Sequence, residues 1–166
     1  MVSTPPGALE RALKANHKYA SGRPSPQRSW APQMALVLCM DARLDPVQFL
    51  GLQYGEAHII RNAGGRMAEA IRSLAISQAL LGTAEVAVIH HTECALLGLT
   101  ENEIRARVQR ERGTTRVLPD FLPIADLKDS IREDLTLYRS TPFVRQDIPV
   151  RGFILDIQSG RLTEVT

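Results

Sequence analysis

The sequence is poor in the features that mark membrane, secreted and nucleic-acid-binding proteins. None of its apolar runs approaches the roughly 18 residues needed to cross a bilayer. Aromatic residues make up only 5% of the chain, and the net charge is a modest +2. Lysine and arginine form no basic tract, and no aromatic residues are interleaved with them. We therefore expect neither a membrane span nor a nucleic-acid partner.

Cysteine is scarce, and the first thirty residues lack the apolar segment of a secretory signal. The absence of such a segment leads us to expect a cytoplasmic protein. Cys39 and Cys94 are the only cysteines. In a reducing compartment we do not expect them to form a disulfide, because paired cysteines there more often bind metal or do chemistry.

The chain has the length of one ordinary domain, with an arm in front of it. A chain of 166 residues can bury a core without disulfides or repeats. Within residues 1–30, an apolar stripe on a short amphipathic helix is formed by Leu9, Ala12 and Leu13. Because two helical turns are not stable alone, we expect this arm to pack on a partner subunit. Residues 31–166 form the domain proper.

Apolar strands and amphipathic helices alternate through the domain. Continuous apolar runs, typical of strands buried on both faces, predict four strands, at 34–39, 57–61, 85–90 and 150–157. Capping residues and 3.6-residue spacing predict helices that begin at Asp45-Pro46, that span 68–81 and 101–112, and that carry Ile124, Leu127, Ile131, Leu135 and Tyr138 on one face. This alternation predicts an α/β fold with a mostly parallel central sheet flanked by helices.

Two short motifs follow predicted strands and carry side chains that can bind a metal or take part in catalysis. Cys39-Met-Asp41-Ala-Arg43 follows the first strand, and His91-Thr-Glu-Cys94 follows the third. Because ligands of open α/β sheets bind outside the carboxyl ends of the strands, we expect the two motifs to share one crevice. Two thiolates and an imidazole suit Zn²⁺, and three protein ligands leave the fourth tetrahedral position open, as in catalytic zinc sites.

Asp41 and Arg43 allow two arrangements beside such a metal. On an extended segment their side chains lie on the same side. Asp41 either becomes the fourth ligand and closes the site, or pairs with Arg43 and orients a water molecule for attack. Taken singly, Cys39 also fits a buried core cysteine, and the Asp/Arg pair fits a surface ion pair. The combination of both cysteines at strand ends favours a metal site.

The remaining histidines are interpreted as structural. His90 faces the opposite side of its strand from His91, and we expect it to be packed behind the site. His58, inside an apolar strand, is expected to be buried and hydrogen-bonded. His17 lies in the arm and is expected to be solvated.

At these motifs the chain resembles the β-carbonic anhydrase family. The family pattern C-x-D-x-R matches Cys39, Asp41 and Arg43, and H-x-x-C matches His91 and Cys94. The similarity extends through residues 34–165, including GEAHIIRNAGGR at 55–66, IRSLAISQALLGT at 71–83 and the closing segment from Pro142 to Val165.

The resemblance implies a parallel core of about four strands plus an edge strand, and a homodimer or higher homo-oligomer in which N-terminal helices wrap the partner. It implies a lyase that hydrates carbon dioxide reversibly to bicarbonate by means of a metal-bound hydroxide. The family roles carried over are zinc ligation by Cys39, His91 and Cys94, a catalytic dyad of Asp41 and Arg43, and a substrate pocket formed by Asn62, Ala63, Gly64 and Gly65.

Three departures from the family pattern affect the expected activity. Short relatives usually have Asp and Gly where this chain has Glu93 and Ala95, and a Thr-Asp-Asp helix cap where it has residues 67–69. The chain is also short, and we expect the region between residues 95 and 123 to differ most from better-known members. Because these changes touch the rim and support of the site, they bear on rate and substrate. Hydrolysis of carbonyl sulfide or carbon disulfide, and a non-catalytic zinc protein, therefore stay as alternatives.

Overall fold

The computed structural model describes residues 7–22, 33–113, 116 and 119–166 of the chain. The chain divides into two compact units, residues 1–30 and 31–166. Helix α1, Ala8–Gly22, lies in the first unit, where the apolar stripe predicts a helix.

The second unit is built on a five-stranded sheet with the order β2-β1-β3-β4-β5. The strands are β1 Met34–Cys39, β2 Ala57–Asn62, β3 Glu85–His91, β4 Val150–Leu155 and β5 Leu162–Val165. The first four are parallel to their neighbours, and β5 pairs antiparallel with β4 at one edge. The predicted sheet of four parallel strands and an edge strand is confirmed.

In the part of the chain that the structure describes, α1 is followed by the α-helices α2 Pro46–Leu50, α3 Met67–Leu81, α4 Glu101–Arg112 and α5 Leu127–Ser140. The predicted caps are present: Asp45 accepts a hydrogen bond from the amide of Gln48, and Thr100 and Glu103 form a reciprocal capping box. Helix α3 ends at Gly82, which has a positive φ. Among the described helices, none is long and apolar enough to cross a membrane.

Two predicted boundaries are wrong. Helix α5 begins at Leu127 rather than before Ile124, because the side chain of Asp126 accepts hydrogen bonds from the amides of residues 128 and 129 and caps the helix there. Ile124 is instead extended and pairs with Leu97. Strand β4 ends at Leu155 rather than at residue 157, because residues 156–160 form the turn into β5.

The two faces of the sheet carry separate cores. On one face, helices α3 and α5 cover β1 and β3 through Met67, Ala70, Leu74, Ile131, Leu135 and Tyr138. Helix α5 approaches the sheet so closely that a Cβ on Gly152 would collide with Ile131. The other face packs Leu36, Leu38 and Ile89 against α2 and the loops that follow β1 and β3. Both cysteines belong to this second cluster.

Candidate metal centre

The ends of β1 and β3 bring the three predicted metal ligands together. Cys39 is the last residue of β1, His91 is the last residue of the adjacent β3, and Cys94 lies in the turn that follows. The ligand atoms of these three residues all lie within 4.8 Å of one another. Their exposed fractions are 5%, 1% and 6%, so the group is enclosed by protein.

The ring of His91 is oriented toward a ligand. Its Nδ1 atom lies 2.8 Å from the carbonyl oxygen of Thr92. Because a carbonyl only accepts, Nδ1 carries the hydrogen and Nε2 keeps a free lone pair. Nε2 is buried and has no hydrogen-bond partner in the described part of the chain. A buried polar atom without a partner is rare, and a metal ion beside the two sulfur atoms would provide one.

The pKa values of the two thiols are shifted in opposite directions. The hydrogen bond from the thiol of Cys94, together with the nearby His91 ring and the amides of Asp41 and Gly64, lowers the pKa of Cys39 to about 4 against the opposing effect of burial. The hydrogen bond to Cys39 and burial raise the pKa of Cys94. Because cysteine binds a metal as the thiolate, a cation bound between the two sulfur atoms would displace their protons.

A glycine loop supports the sulfur of Cys39. The loop consists of Ala63–Gly65, a 3₁₀ turn after β2. A Cβ on Gly65, whose φ is +73°, would lie 2.9 Å from the backbone nitrogen of Cys39. Only glycine permits this approach. The side chain of Asn62 closes the turn by accepting from the amide of Arg66 at 2.7 Å and donating to its carbonyl at 2.9 Å.

In the structure, the predicted pocket residues 62–65 form a turn that packs against the backbone of Cys39. Their assignment to a substrate pocket stays a prediction.

Asp41 is paired with Arg43. Arg43 donates from Nε to Oδ1 at 3.0 Å and from Nη2 to Oδ2 at 2.7 Å, a bidentate geometry. These hydrogen bonds and the charge of Arg43 hold the pKa of Asp41 well below its usual range. Among the described acidic, histidine and cysteine side chains, the metal-capable group contains the predicted trio and not Asp41. Of the two arrangements open to Asp41, the structure has the pair with Arg43.

The other side of Arg43 contacts Glu93. Arg43 donates from Nη1 to Oε2 of Glu93 at 2.9 Å and from Nη2 to its carbonyl oxygen at 3.1 Å. Gln158, in the turn after β4, donates to Oε1 of Glu93 at 2.7 Å. The sequence identified Glu93 only as a departure from the family pattern, and no sequence signal indicated Gln158.

The replacement of glycine by Ala95 does not strain the loop. Between β3 and α4, the residues with positive φ are Glu93 and Gly98, and Ala95 is not one of them. A glycine is therefore not required at position 95.

Two arginines that the sequence analysis did not assign to the site support it from behind. Arg61 donates to the carbonyl oxygens of Cys39 at 3.1 Å and Asp41 at 2.5 Å. A charged residue in an otherwise apolar strand was the only signal for it. Arg66 begins α3 without a side-chain cap, but its guanidinium is held by the carbonyl of Pro123 and by two acidic residues of α5. Arg66 is therefore held in place although α3 has no side-chain cap.

His90 and His17 lie as predicted, whereas His58 is hydrogen-bonded as predicted but only half-buried. His90 is completely buried on the face opposite His91, where Nδ1 lies 2.8 Å from the hydroxyl of Ser130 and Nε2 lies 3.1 Å from Asp134. His58 is half-buried and hydrogen-bonded to Ser77 and Thr83, and His17 is exposed on α1.

Comparisons by sequence and by fold both find carbonic anhydrases and related hydrolases as the proteins similar to this chain. The family model described as carbonic anhydrase matches residues 34–133. Over 158 residues, the chain is 42% identical to beta-carbonic anhydrase 1 of Mycobacterium tuberculosis, which covers 93% of this chain and 95% of that protein. It is 31% identical to a carbon disulfide hydrolase of Acidianus, covering 93% and 87%. The crystal structure of carbonic anhydrase from Streptococcus mutans superposes with a TM-score of 0.87 at 38% identity and covers both chains completely.

Proposed function

Because this chain belongs to the β-carbonic anhydrase family, a family of carbonate dehydratases, we propose that it catalyses the zinc-dependent reversible hydration of carbon dioxide to bicarbonate. The observation that carries the proposal is the arrangement of the site. Two sulfur atoms and one imidazole nitrogen lie within 4.8 Å of one another, while the nearby carboxylate of Asp41 is hydrogen-bonded to Arg43. A catalytic zinc site has three protein ligands and leaves the fourth coordination position open for water or substrate.

The chemistry of the ligand set favours zinc as the metal. Cys39, His91 and Cys94 would hold it through two sulfur atoms and one imidazole nitrogen, a set that suits a borderline-soft divalent ion. When bound, zinc lowers the pKa of water from about 15.7 to around 7 and so supplies a nucleophile at neutral pH.

The residues around this trio would orient the reactants. The net reaction combines water with carbon dioxide to give bicarbonate and one proton, which leaves to buffer. Asp41 stays ionised because Arg43 keeps its pKa low, so its carboxylate can accept a hydrogen bond from the attacking water and fix its direction. By donating hydrogen bonds to both carboxylate oxygens of Asp41, Arg43 keeps this side chain from binding the metal.

One observation favours a second candidate, hydrolysis of carbon disulfide or carbonyl sulfide. The Acidianus relative, 31% identical over 93% of this chain, is named a carbon disulfide hydrolase. Linear sulfur analogues of carbon dioxide are attacked by the same nucleophile. The identity of 42% to a carbonic anhydrase, against 31% and 38% to two carbon disulfide hydrolases, supports carbon dioxide as the first candidate.

The test is stopped-flow hydration of carbon dioxide by the zinc-loaded protein at pH 7 and pH 9, with sulfide release from carbon disulfide measured in parallel. We expect rapid hydration of carbon dioxide. Sulfide release without hydration at either pH would assign the chain to the second candidate. Absence of both reactions from a protein that retains one zinc per chain would identify a non-catalytic zinc protein.

We also propose that the protein is a cytoplasmic homodimer or higher homo-oligomer in which the arm packs on a partner subunit. Helix α1 is 15 residues long and carries apolar residues such as Leu9 and Leu13, and a helix of this length is marginal in isolation. Analytical ultracentrifugation of the full chain tests the assembly. A monomer at micromolar concentration would contradict it.

A further inference from the structure

We propose that Glu93 is a positioning residue that, anchored by Gln158, holds Arg43 where it keeps the carboxylate of Asp41 away from the metal. The inference rests on the proposed function, because it deepens the role of the Asp41–Arg43 pair. It concerns a residue that differs from the pattern of short relatives.

Arg43 is surrounded by groups from three separate loops. Asp41 lies in its own loop after β1, Glu93 lies in the loop after β3, and Gln158 lies in the turn after β4. The guanidinium bonds to both carboxylate oxygens of Asp41 on one side and to Oε2 and the carbonyl of Glu93 on the other. Gln158 bonds to the remaining carboxylate oxygen of Glu93. Each nitrogen of the guanidinium therefore has an acceptor that belongs to a fixed loop.

The loop that bears Glu93 is itself held in place. The amide of Thr92 donates to the carbonyl of Leu155 at 3.0 Å, and the hydroxyl of Thr92 accepts from the amide of Ile157 at 2.9 Å. These bonds join the end of β3 to the end of β4. Glu93 is thus a fixed anchor for Arg43 and not a second mobile side chain.

The backbone of Glu93 is strained, with φ at +58°. Positive φ is uncommon outside glycine, asparagine and aspartate, and strain of this kind clusters at functional sites because surrounding contacts maintain it. The conformation directs both the carbonyl and the carboxylate of Glu93 to one guanidinium. The two hydrogen bonds to Arg43 and the one from Gln158 are the contacts that offset the strain.

Without Glu93, Arg43 would hold Asp41 from an exposed position with no second anchor. The side chain of Arg43 is 45% exposed and that of Asp41 is 19% exposed, and ion pairs of an exposed arginine are weak because holding a long side chain in one geometry costs entropy. A network of several charges with bidentate geometry is the recognised exception. Glu93 removes the freedom of Arg43 in advance, so that Arg43 is already in position to engage Asp41.

Access of an anion to a cobalt-substituted metal site tests this proposal independently of catalysis. Cobalt(II) in the site is coloured, and azide that takes an open coordination position changes the visible spectrum. If Asp41 occupies that position, azide must displace it and binds more weakly. The variants are Glu93→Ala, which removes the bonds to Arg43, and Glu93→Gln, which keeps an acceptor oxygen for Arg43 and removes the charge.

We expect Glu93→Ala to weaken azide binding about threefold to tenfold, and Glu93→Gln to remain within about twofold of the unsubstituted protein. In the double variant Asp41→Asn/Glu93→Ala, azide affinity should return to that of Asp41→Asn alone, because no carboxylate is left to compete. Gln158→Ala should act in the same direction as Glu93→Ala with a smaller effect, and it provides the test if Glu93→Ala does not fold. Cobalt content and thermal midpoint of each variant report on folding.

Unchanged azide affinity in both Glu93→Ala and Gln158→Ala would overturn the proposal. Tighter azide binding would also overturn it, because it would show that Glu93 competes with Asp41 for Arg43. A protein without carbon dioxide hydration that still shows the expected pattern of azide affinities would refute the proposed function and leave this proposal standing.

Discussion

Arg66 and Asp134 form an ion pair in the interior of the protein. Nε of Arg66 lies 3.3 Å from Oδ1 of Asp134, and the two side chains are 8% and 2% exposed. The second oxygen of Asp134 lies 3.1 Å from Nε2 of His90, the residue before the candidate ligand His91. Helix α5 is thereby joined to the loop that supports Cys39 and to the strand that carries His91.

Replacing Asp134 with alanine is expected to destabilise the protein by about 3–5 kcal/mol, because Asp134 is the buried carboxylate beside Arg66 and its loss leaves that buried charge only the exposed Glu133 and a backbone carbonyl. Glu133→Ala is the matched control. Glu133 contacts the same guanidinium at 3.2 Å but is 69% exposed, so its loss should cost less than about 1 kcal/mol. Free energies of unfolding from urea titration measure both. Equal losses would show that burial does not distinguish the two carboxylates.

Asp41→Asn is expected to lower the turnover of carbon dioxide by about 10²-fold or more while the zinc content stays unchanged, because the neutral amide has only one acceptor oxygen and cannot both pair with Arg43 and orient water. Asp147→Asn is a suitable control, since Asp147 makes a similar bidentate pair with Arg145 two residues away, on the surface. Stopped-flow assays and metal analysis of both variants test this. Full turnover by Asp41→Asn would remove Asp41 from the mechanism.

His91→Ala is expected to abolish stable zinc binding, because two cysteines alone leave a site short of the three protein ligands typical of catalytic zinc. The measurement is zinc retained per chain after dialysis against a weak chelator, expected to fall from about one to near zero. His90→Ala removes an adjacent imidazole that faces Ser130 and Asp134, so that variant should retain zinc if it folds. Full retention of zinc by His91→Ala would exclude His91 as a ligand.

Gly65→Ala is expected to lower zinc affinity, since a Cβ there would lie 2.9 Å from the backbone of Cys39 and must displace it. Gly82→Ala separates this effect from backbone strain. Gly82 has a similar φ, +76° against +73°, but a Cβ there has no neighbour within 4 Å. We expect both variants to lose about 1–2 kcal/mol of stability from strain and only Gly65→Ala to lose zinc. Loss of zinc from both would point to a general effect of unfolding.

The strands and the metal-capable trio were predictable from the sequence because their signals are local. Cys39 follows an uninterrupted apolar run, and the strand carrying His91 is another. Since parallel strands end at the same edge of a sheet, the two motifs were expected to share one crevice, and the pairing of β1 with β3 brings the trio together. The contact of Glu93 with Gln158 joins residues 65 positions apart through charged, exposed groups, and no periodicity predicts such a contact. The start of α5 was misplaced because Ile124 continues the apolar spacing of the helix face although it lies before the cap at Asp126.

Tyr138 should contribute to stability in a way that depends on alkaline pH. Burial raises the pKa of its phenol, which donates to the carbonyl of Arg145 at 2.7 Å and accepts from Gln78 at 3.0 Å. Because the folded-state pKa is above the unfolded value of about 10, the contribution is fully present below pH 10 and is lost as the pH rises through the folded-state pKa. Tyr138→Phe should therefore cost about 1–3 kcal/mol at pH 8, and the difference from the unsubstituted protein should shrink toward pH 11. Urea titrations at pH 8, 9, 10 and 11 measure this difference. A gap that stays constant across the series would show that the phenol ionises equally in the folded and unfolded chains.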